Sequence, residues 1–241
     1  MTKRPSTRTR VRRIPKRGAY DRATVDAILD EGLVCHVGFV VDGQPFVIPT
    51  LHARDGDRVL IHGSAASRML RTLGEGVDMC LTVTLPDQLV IARSAFHSSM
   101  NYRSVMLLGH ARLLEEPAEK FAAMRALVEH LIPGRWDDCR QPNAKEMKAT
   151  WILEMPIDEA SAKIRTGPPL DDDDDYALDF WAGVLPLANG FGKPMGDPKL
   201  ARGIDTPSYL TRYARPSRAR AASSGRPPKR SRRSPAPRKP R

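Results

Sequence analysis

The residues best suited to chemistry in this chain stand together, in the run Leu60-Ile61-His62-Gly63-Ser64-Ala65-Ala66-Ser67-Arg68-Met69-Leu70-Arg71-Thr72-Leu73. A β-branched stretch ends in His-Gly, and small, hydroxyl-bearing residues then lead into a segment whose Met69, Leu70 and Leu73 have helical spacing. Backbone N–H groups at a helix start, the positive end of its dipole, serine hydroxyls and the Arg68 guanidinium can converge on one phosphate. The same residues also suit a plain helix start, with Ser64 or Ser67 as cap and Arg68 in solvent. His62 likewise has two roles open. Its ordinary pKa near neutrality fits proton transfer, and its place at a strand end fits a hydrogen-bonded core histidine.

Nothing else in the chain competes with this cluster. There is no Ser-His-Asp order, no paired-carboxylate site and no metal-ligand spacing; His36, His52, His97, His110 and His130 are scattered. The three cysteines, Cys35, Cys80 and Cys139, are far apart and odd in number. That usage suits a reducing compartment, with Cys35 and Cys80 in buried strands. No apolar run is long enough to cross a bilayer and the N-terminus has no apolar core of a signal peptide, so a cytoplasmic protein is expected.

The elements that must position the cluster read as mostly β. Asp21 is a natural cap for a short helix in which Val25, Ile28 and Leu29 share a face, ending near Gly32. The runs 33–41 and 44–53 flank Asp42-Gly43, a pair that supplies the positive φ angles of a two-residue hairpin turn. A further strand over 58–63 leads into the helix beginning near Ser67. Two more strands are expected over 77–85 and 88–96, joined by a turn at Pro86-Asp87, and a sixth over 104–114. Pro117 then opens a helix with Phe121, Met124, Leu127, Val128 and Leu131 along one side. Short strands joined by tight turns favour an antiparallel barrel over a parallel sheet.

The formal charge of +11 sits in the ends. Residues 1–17 hold eight Lys/Arg and residues 212–241 hold twelve, with no acid in either, which leaves the middle at −9. Both ends are rich in Arg, Pro and Ser and cannot bury enough apolar surface to order themselves. The expected organisation is a disordered basic tail over 1–17, a barrel domain over 18–190, an extended linker over 191–211 and a disordered tail over 212–241. The tails suit either unspecific binding of nucleic acid or other polyanions by counterion release, or simple solubilisation. The C-terminal stretch 226–241 has no aromatic residue for base stacking.

The stretch from about Arg17 to Leu187 resembles the pyridoxamine 5'-phosphate oxidase-like FMN-binding split-barrel proteins, in the branch of nitroimidazole-resistance-type flavin-nucleotide-binding proteins. The resemblance is carried by 48-IPTLHARDGDRVLIHGSAASRMLRTL-73, 79-MCLTVTL-85, 93-RSAFHSSMNYRSVMLLGHARLL-114 and 161-SAKIRTGPP-169. It implies a mainly β protein with flanking helices, a six-stranded antiparallel split barrel that forms a homodimer with FMN at the interface. It further implies phosphate binding by Ser67 and Arg68, a flavin ring running along Pro49 and Thr50, and His62 and Gly63 close to the cofactor. Asn101, Tyr102, Arg103 and Ser104 match polar contacts to the flavin or its phosphate; without the family, Tyr102 suits barrel packing and Arg103 a surface charge. Phe180 and Trp181, expected on a short helix after the solvated Asp171–Asp175 run, suit either a stacking lid over the cofactor or an anchor for the C-terminal segment. Lys163 and Arg165 can reach a neighbouring active site.

Two departures narrow the chemistry. Met69 follows Arg68 where relatives that oxidise pyridoxamine phosphate carry a second cation, and their C-terminal Arg-Leu-His element is missing, so vitamin B6 oxidation is not expected. The resemblance implies instead an FMN-dependent oxidoreductase passing electrons from a reduced nicotinamide or similar donor to a small-molecule acceptor, with His62 moving the proton. Deazaflavin or haem are alternative cofactors, the latter needing His52, His62 or His97 as a ligand. A non-catalytic flavin- or haem-binding module and a nucleic-acid-associated dimer acting through its tails are the other classes that fit.

Overall fold

The structure is a computed structural model, and it describes residues 5–188 and 190–214. Helix α1 (Arg22–Glu31) begins where its cap is encoded: Oδ1 of Asp21 accepts from the Thr24 amide at 2.9 Å. Val25, Ile28 and Leu29 form its buried face, and Gly32 ends it. Strands β2 (Val34–Val41) and β3 (Gln44–Asp55) pair antiparallel from Val34↔Leu51 to Val41↔Gln44. The turn between them holds Asp42 at φ 50° and Gly43 at φ 78°, as a two-residue hairpin requires. Strand β4 (Arg58–Ser64) follows, then α2 (Arg68–Gly74).

The expected turn at Pro86-Asp87 is not formed. One strand, β5 (Asp78–Ile91), runs straight through it against β6 (Ser99–His110), with a bulge between Pro86 and Gln88. Pro86 lacks a donor and Asp87 is the extra residue, so a bulge accommodates both without reversing the chain. The reversal falls in residues 92–98 instead. Strand β6 therefore starts at Ser99, five residues earlier than expected.

The remaining elements are β1 (Gly18–Ala19), β7 (Arg112–Leu113), α3 (Pro117–Leu131), α4 (Ala144–Ala149), β8 (Thr150–Pro156), β9 (Glu159–Arg165), β10 (Gly183–Pro186) and α5 (Ser208–Thr211). All ten strands join one antiparallel sheet in the order β1-β9-β6-β5-β2-β3-β4-β8-β7, with β10 on the far half of β5. Seven are long, against the six expected; the additional strands β8 and β9 follow one another in sequence but pair with β4 and with β6, not with each other.

The sheet curls on itself. Val37 of β2, Leu81 of β5, Val105 of β6 and Ala162 of β9 share one buried cluster with Ile61 of β4 and Leu153 of β8. Strands from opposite ends of the sheet thus line one interior, plugged by Ile28 and Leu29 of α1 and Leu70 and Leu73 of α2. A second layer covers the outer side of β4 and β8, where Ala53, Leu60 and Ile152 meet Ala123 and Leu127 of α3. The mainly β split-barrel class holds.

Both flanks of the barrel carry described chain. Before β1, the Ser6 hydroxyl donates to Glu159 at 2.5 Å, Thr9 is buried, and the Val11 amide donates to the Tyr20 hydroxyl at 2.9 Å. After β10, the Tyr209 hydroxyl donates to Asp138 at 2.6 Å and the Tyr213 hydroxyl to the Leu131 carbonyl at 2.5 Å. Residues 1–4 and 215–241 of the expected tails lie outside the described residues. Among the described residues no helix is long and apolar enough to cross a membrane.

Candidate functional site

The β4–α2 junction is a tight, self-bonded turn. Ser64 accepts twice, its hydroxyl from the Ala66 amide at 3.1 Å and its carbonyl from the Ser67 amide at 2.9 Å. Ser67 is the helix cap, its hydroxyl accepting from the Leu70 amide at 3.4 Å. Buried Met69, Leu70 and Leu73 fix α2 to the barrel, and Arg71 donates back to the Ala65 carbonyl at 2.9 Å. Gly63 permits the approach: a Cβ there would stand 3.1 Å from Leu70 Cδ1.

Arg68 is exposed and lies over the Phe46 ring, with its guanidinium carbon 4.3 Å from the ring centroid. No carboxylate among the described residues pairs with it. Phe46 belongs to β3, and the two-residue period of a strand puts Ile48 and Thr50 on the same side as Phe46. Thr50, opposite Cys35, is half-buried there; Pro49, opposite His36, is exposed on the other side.

His62 stands one residue before Gly63, paired with Ile152 of β8. It is half-buried, its Nδ1 is enclosed without a hydrogen-bond partner, and burial pushes its pKa down. The ring is therefore neutral at pH 7. His52, by contrast, is deeply buried and its Nε2 bonds the Leu29 carbonyl at 3.0 Å. Burial also pushes the Cys35 thiol up to about 12, which makes it an inert core residue, and the half-buried Cys80 is raised in the same direction.

The β6 residues form a separate wall. Tyr102 lies opposite Arg165 and Ser104 opposite Lys163, whose carbonyl accepts from the Ser104 hydroxyl at 3.3 Å. Arg103 points the other way and is buried, gripping Asp87 at 2.7 Å and Glu31 at 2.5 and 2.9 Å. These two acids hold it firmly charged, and they tie α1 to the β5 bulge. Between β6 and β3 stand β5 and β2, so the Tyr102–Ser104 wall is three strand spacings, about 14 Å, from Thr50 within one protomer.

Trp181 is in extended chain leading into β10, not on a helix, and its indole packs over Gly183 while 71% of the residue stays exposed. Among the described residues around it, the helical turn is the short 3-10 stretch Asp173–Ala177. Two further groupings carry no spacing signal in the sequence. His97, Asp172 and Asp175 each bring one potential ligand atom within 4.8 Å of the others. Arg165 is buried with its Nη1 on Oδ1 of Asn101 at 2.5 Å. Both depend on contacts between residues more than sixty positions apart.

A curled antiparallel sheet with a short helix packed after its third long strand is a split barrel. Residues 21–164 match the pyridoxamine 5'-phosphate oxidase family, a family of flavin-binding split barrels, and the chain belongs to it. No curated protein matches the chain. Among solved structures, the flavocytochrome Anf3 from Azotobacter vinelandii is 48% identical, covering 86% of this chain and 96% of its own, with a TM-score of 0.82. The FAD and haem binding protein from Mycobacterium smegmatis is 37% identical, covering 81% and 97%, with a TM-score of 0.78. A candidate 5-nitroimidazole antibiotic resistance protein from Bacteroides thetaiotaomicron, 20% identical over 61% and 86% at a TM-score of 0.51, shares the fold.

Proposed function

We propose that this chain is a flavin-dependent oxidoreductase of the flavocytochrome kind, a homodimer that passes electrons from a reduced nicotinamide or similar donor to a small-molecule acceptor. The observation that carries the reading is the state of its two candidate cations. Arg103 is matched internally by Glu31 and Asp87, whereas Arg68 stands exposed on Phe46 beside the Ser67 cap with no described carboxylate partner. A cation held in place by an aromatic ring and left unneutralised suits a phosphate.

The residues fit a flavin nucleotide. Arg68 and Ser67 would take its phosphate, and Gly63 keeps α2 close to the strand. Thr50 would bond a ring heteroatom while Pro49 lines the adjoining backbone. A bound flavin supplies hydride and single-electron chemistry, and the chain supplies position, charge and exclusion of water. His62, neutral and with an enclosed unpartnered Nδ1, would hold or accept a proton there. Tyr102 and Ser104 would contribute through a second copy, since one protomer keeps them three strands away from Thr50. Trp181 would cover the site from the β10 side.

FMN is the flavin that the family resemblance implies. The relative at 48% identity is named a flavocytochrome and the one at 37% an FAD and haem binding protein, and we take FAD with haem as the occupants. The test is an absorption spectrum of the purified protein from 300 to 700 nm, followed by denaturation and identification of what is released. Flavin bands with a Soret band and released FAD are expected. Released FMN or a deazaflavin would revise the cofactor alone, and a colourless protein that ignores added flavins would overturn the reading.

A further inference from the structure

Arg165 ends β9 with only 7% of its surface exposed, and its surroundings differ from those of the other buried arginine. Its Nη1 donates to Oδ1 of Asn101, a neutral amide itself fixed by donating to Gln88 at 2.7 Å and to the Gly167 carbonyl at 2.9 Å. No carboxylate among the described residues pairs with it. Arg17 acts on it with a charge of the same sign; burial first and Arg17 second pull Arg165 below the usual arginine range, with Tyr102 acting the other way. Lys163, two residues back on β9, projects to the same side, and the register sets Tyr102 and Ser104 opposite these two cations.

Arg103 shows what the chain does when a buried guanidinium is purely structural: two carboxylates close on it. Arg165 receives an amide that orients its fork and a neighbour that repels it. Burying a cation without a counter-charge is costly, and the cost is recovered when an anion arrives. Arg17 and Lys163 add attraction for that anion and nothing for the empty fold.

We infer that Arg165, Arg17 and Lys163 form a second anion site at the β6–β9 face, taking a phosphate or carboxylate group of a bound molecule. It stands on β9, which pairs with β1 and β6, whereas Ser67 and Arg68 follow β4, which pairs with β3 and β8. Two sources offer that chemistry: the diphosphate of a dinucleotide flavin and the propionates of haem. The choice between them rests on the proposed cofactors; the anion site itself does not.

The test uses the full chain freed of cofactor, in an Arg68→Gln background so that the first candidate phosphate site is silent, with inorganic pyrophosphate as probe. Pyrophosphate a hundredfold above its Kd raises the melting temperature by about 5 °C. Adding Arg165→Gln abolishes the shift, Arg165→Lys keeps part of it, and Arg17→Gln, which leaves the buried group intact, weakens it. A shift that is absent, or equal with and without Arg165, overturns the site. Titrations with FAD, FMN and haemin then identify the source. Arg165→Gln weakens FAD at least tenfold with FMN unchanged if the diphosphate is held, and weakens haemin alone if the propionates are. Equal weakening of all three marks a structural residue and overturns the site. Should no flavin bind while the pyrophosphate shift still follows Arg165, the flavin reading fails and the anion site stands.

Discussion

Arg68 and Arg103 show how little a residue's type says about its job without its neighbours. Both are arginines in family-like motifs, yet one is exposed on an aromatic ring and the other is locked by two acids. Arg68→Gln is expected to lower flavin affinity about tenfold to a hundredfold, the worth of one charge-assisted contact, and to leave the melting temperature nearly unchanged. Arg103→Gln leaves Glu31 and Asp87 facing each other without their cation, at a cost of about 3–5 kcal/mol, which lowers the melting temperature by about 10 °C. Fluorescence titration and calorimetry on the same two variants check both; the opposite pattern would make Arg103 the ligand-binding cation. His62 adds a pH dependence. Because burial lowers its pKa, the unfolded chain takes up the proton first as pH falls, so its contribution is full above about 6.5 and is lost from there down towards the folded value. Urea midpoints between pH 7.5 and 5 are expected to fall more steeply for the wild-type chain than for His62→Gln, other histidines being common to both.

Where local chemistry decides an element, the sequence was sufficient. Asp21 caps α1, Asp42-Gly43 turns the first hairpin and Ser67 caps α2, each through contacts within three residues. Pro86-Asp87 misled for the complementary reason: the pair has turn chemistry, but pairing with β6 on both sides and the Arg103 grip on Asp87 make it a bulge in an unbroken strand. Strands β8 and β9 leave little trace in the sequence because Thr150–Pro156 and Glu159–Arg165 are short and either small-residue or continuous apolar runs, which periodicity does not assign. The candidate site was legible as far as the β4–α2 turn, which is contiguous. Arg165 with Asn101, and His97 with Asp172, are made by the sheet register and left no local trace. The α1 cap can be tested directly. Asp21→Ala is expected to cost about 1 kcal/mol, and because α1 delivers Glu31 to Arg103, hydrogen exchange at the β5 bulge should quicken with it. The Thr24 contacts hold the Asp21 carboxyl below its ordinary range. Its stabilisation is therefore present above about pH 4 and is lost as pH falls through the folded value. Asp21→Asn should keep most of the neutral-pH stability and show less of that acid loss.

At the scale of the molecule, the outer surface of β2 and β3 is apolar where a barrel in water would be polar. Val34, Val40 and Val47 project outward from paired strands, at 45%, 52% and 67% exposure, with Pro45 and Pro49 beside them. Strand alternation left these positions free to be charged, since the inward residues of β2, Cys35, Val37 and Phe39, already fill the core. Covering such a face recovers about 25 cal/mol per Å² of apolar surface, and a second copy would also bring the distant Tyr102–Ser104 wall to a neighbouring β3. Association and cofactor binding are then one event. Val47→Glu sets a charge in the middle of that face without touching the protomer core, and leaves it unpaired if the face is buried. Sedimentation of the full chain is expected to give a dimer, the variant is expected to dissociate at micromolar concentration with its melting transition still cooperative, and its flavin affinity should fall along with dimer content. A variant that becomes monomeric and binds flavin as tightly as the wild-type chain would mean that one protomer holds the whole site, and that the exposed valines serve a contact of another kind.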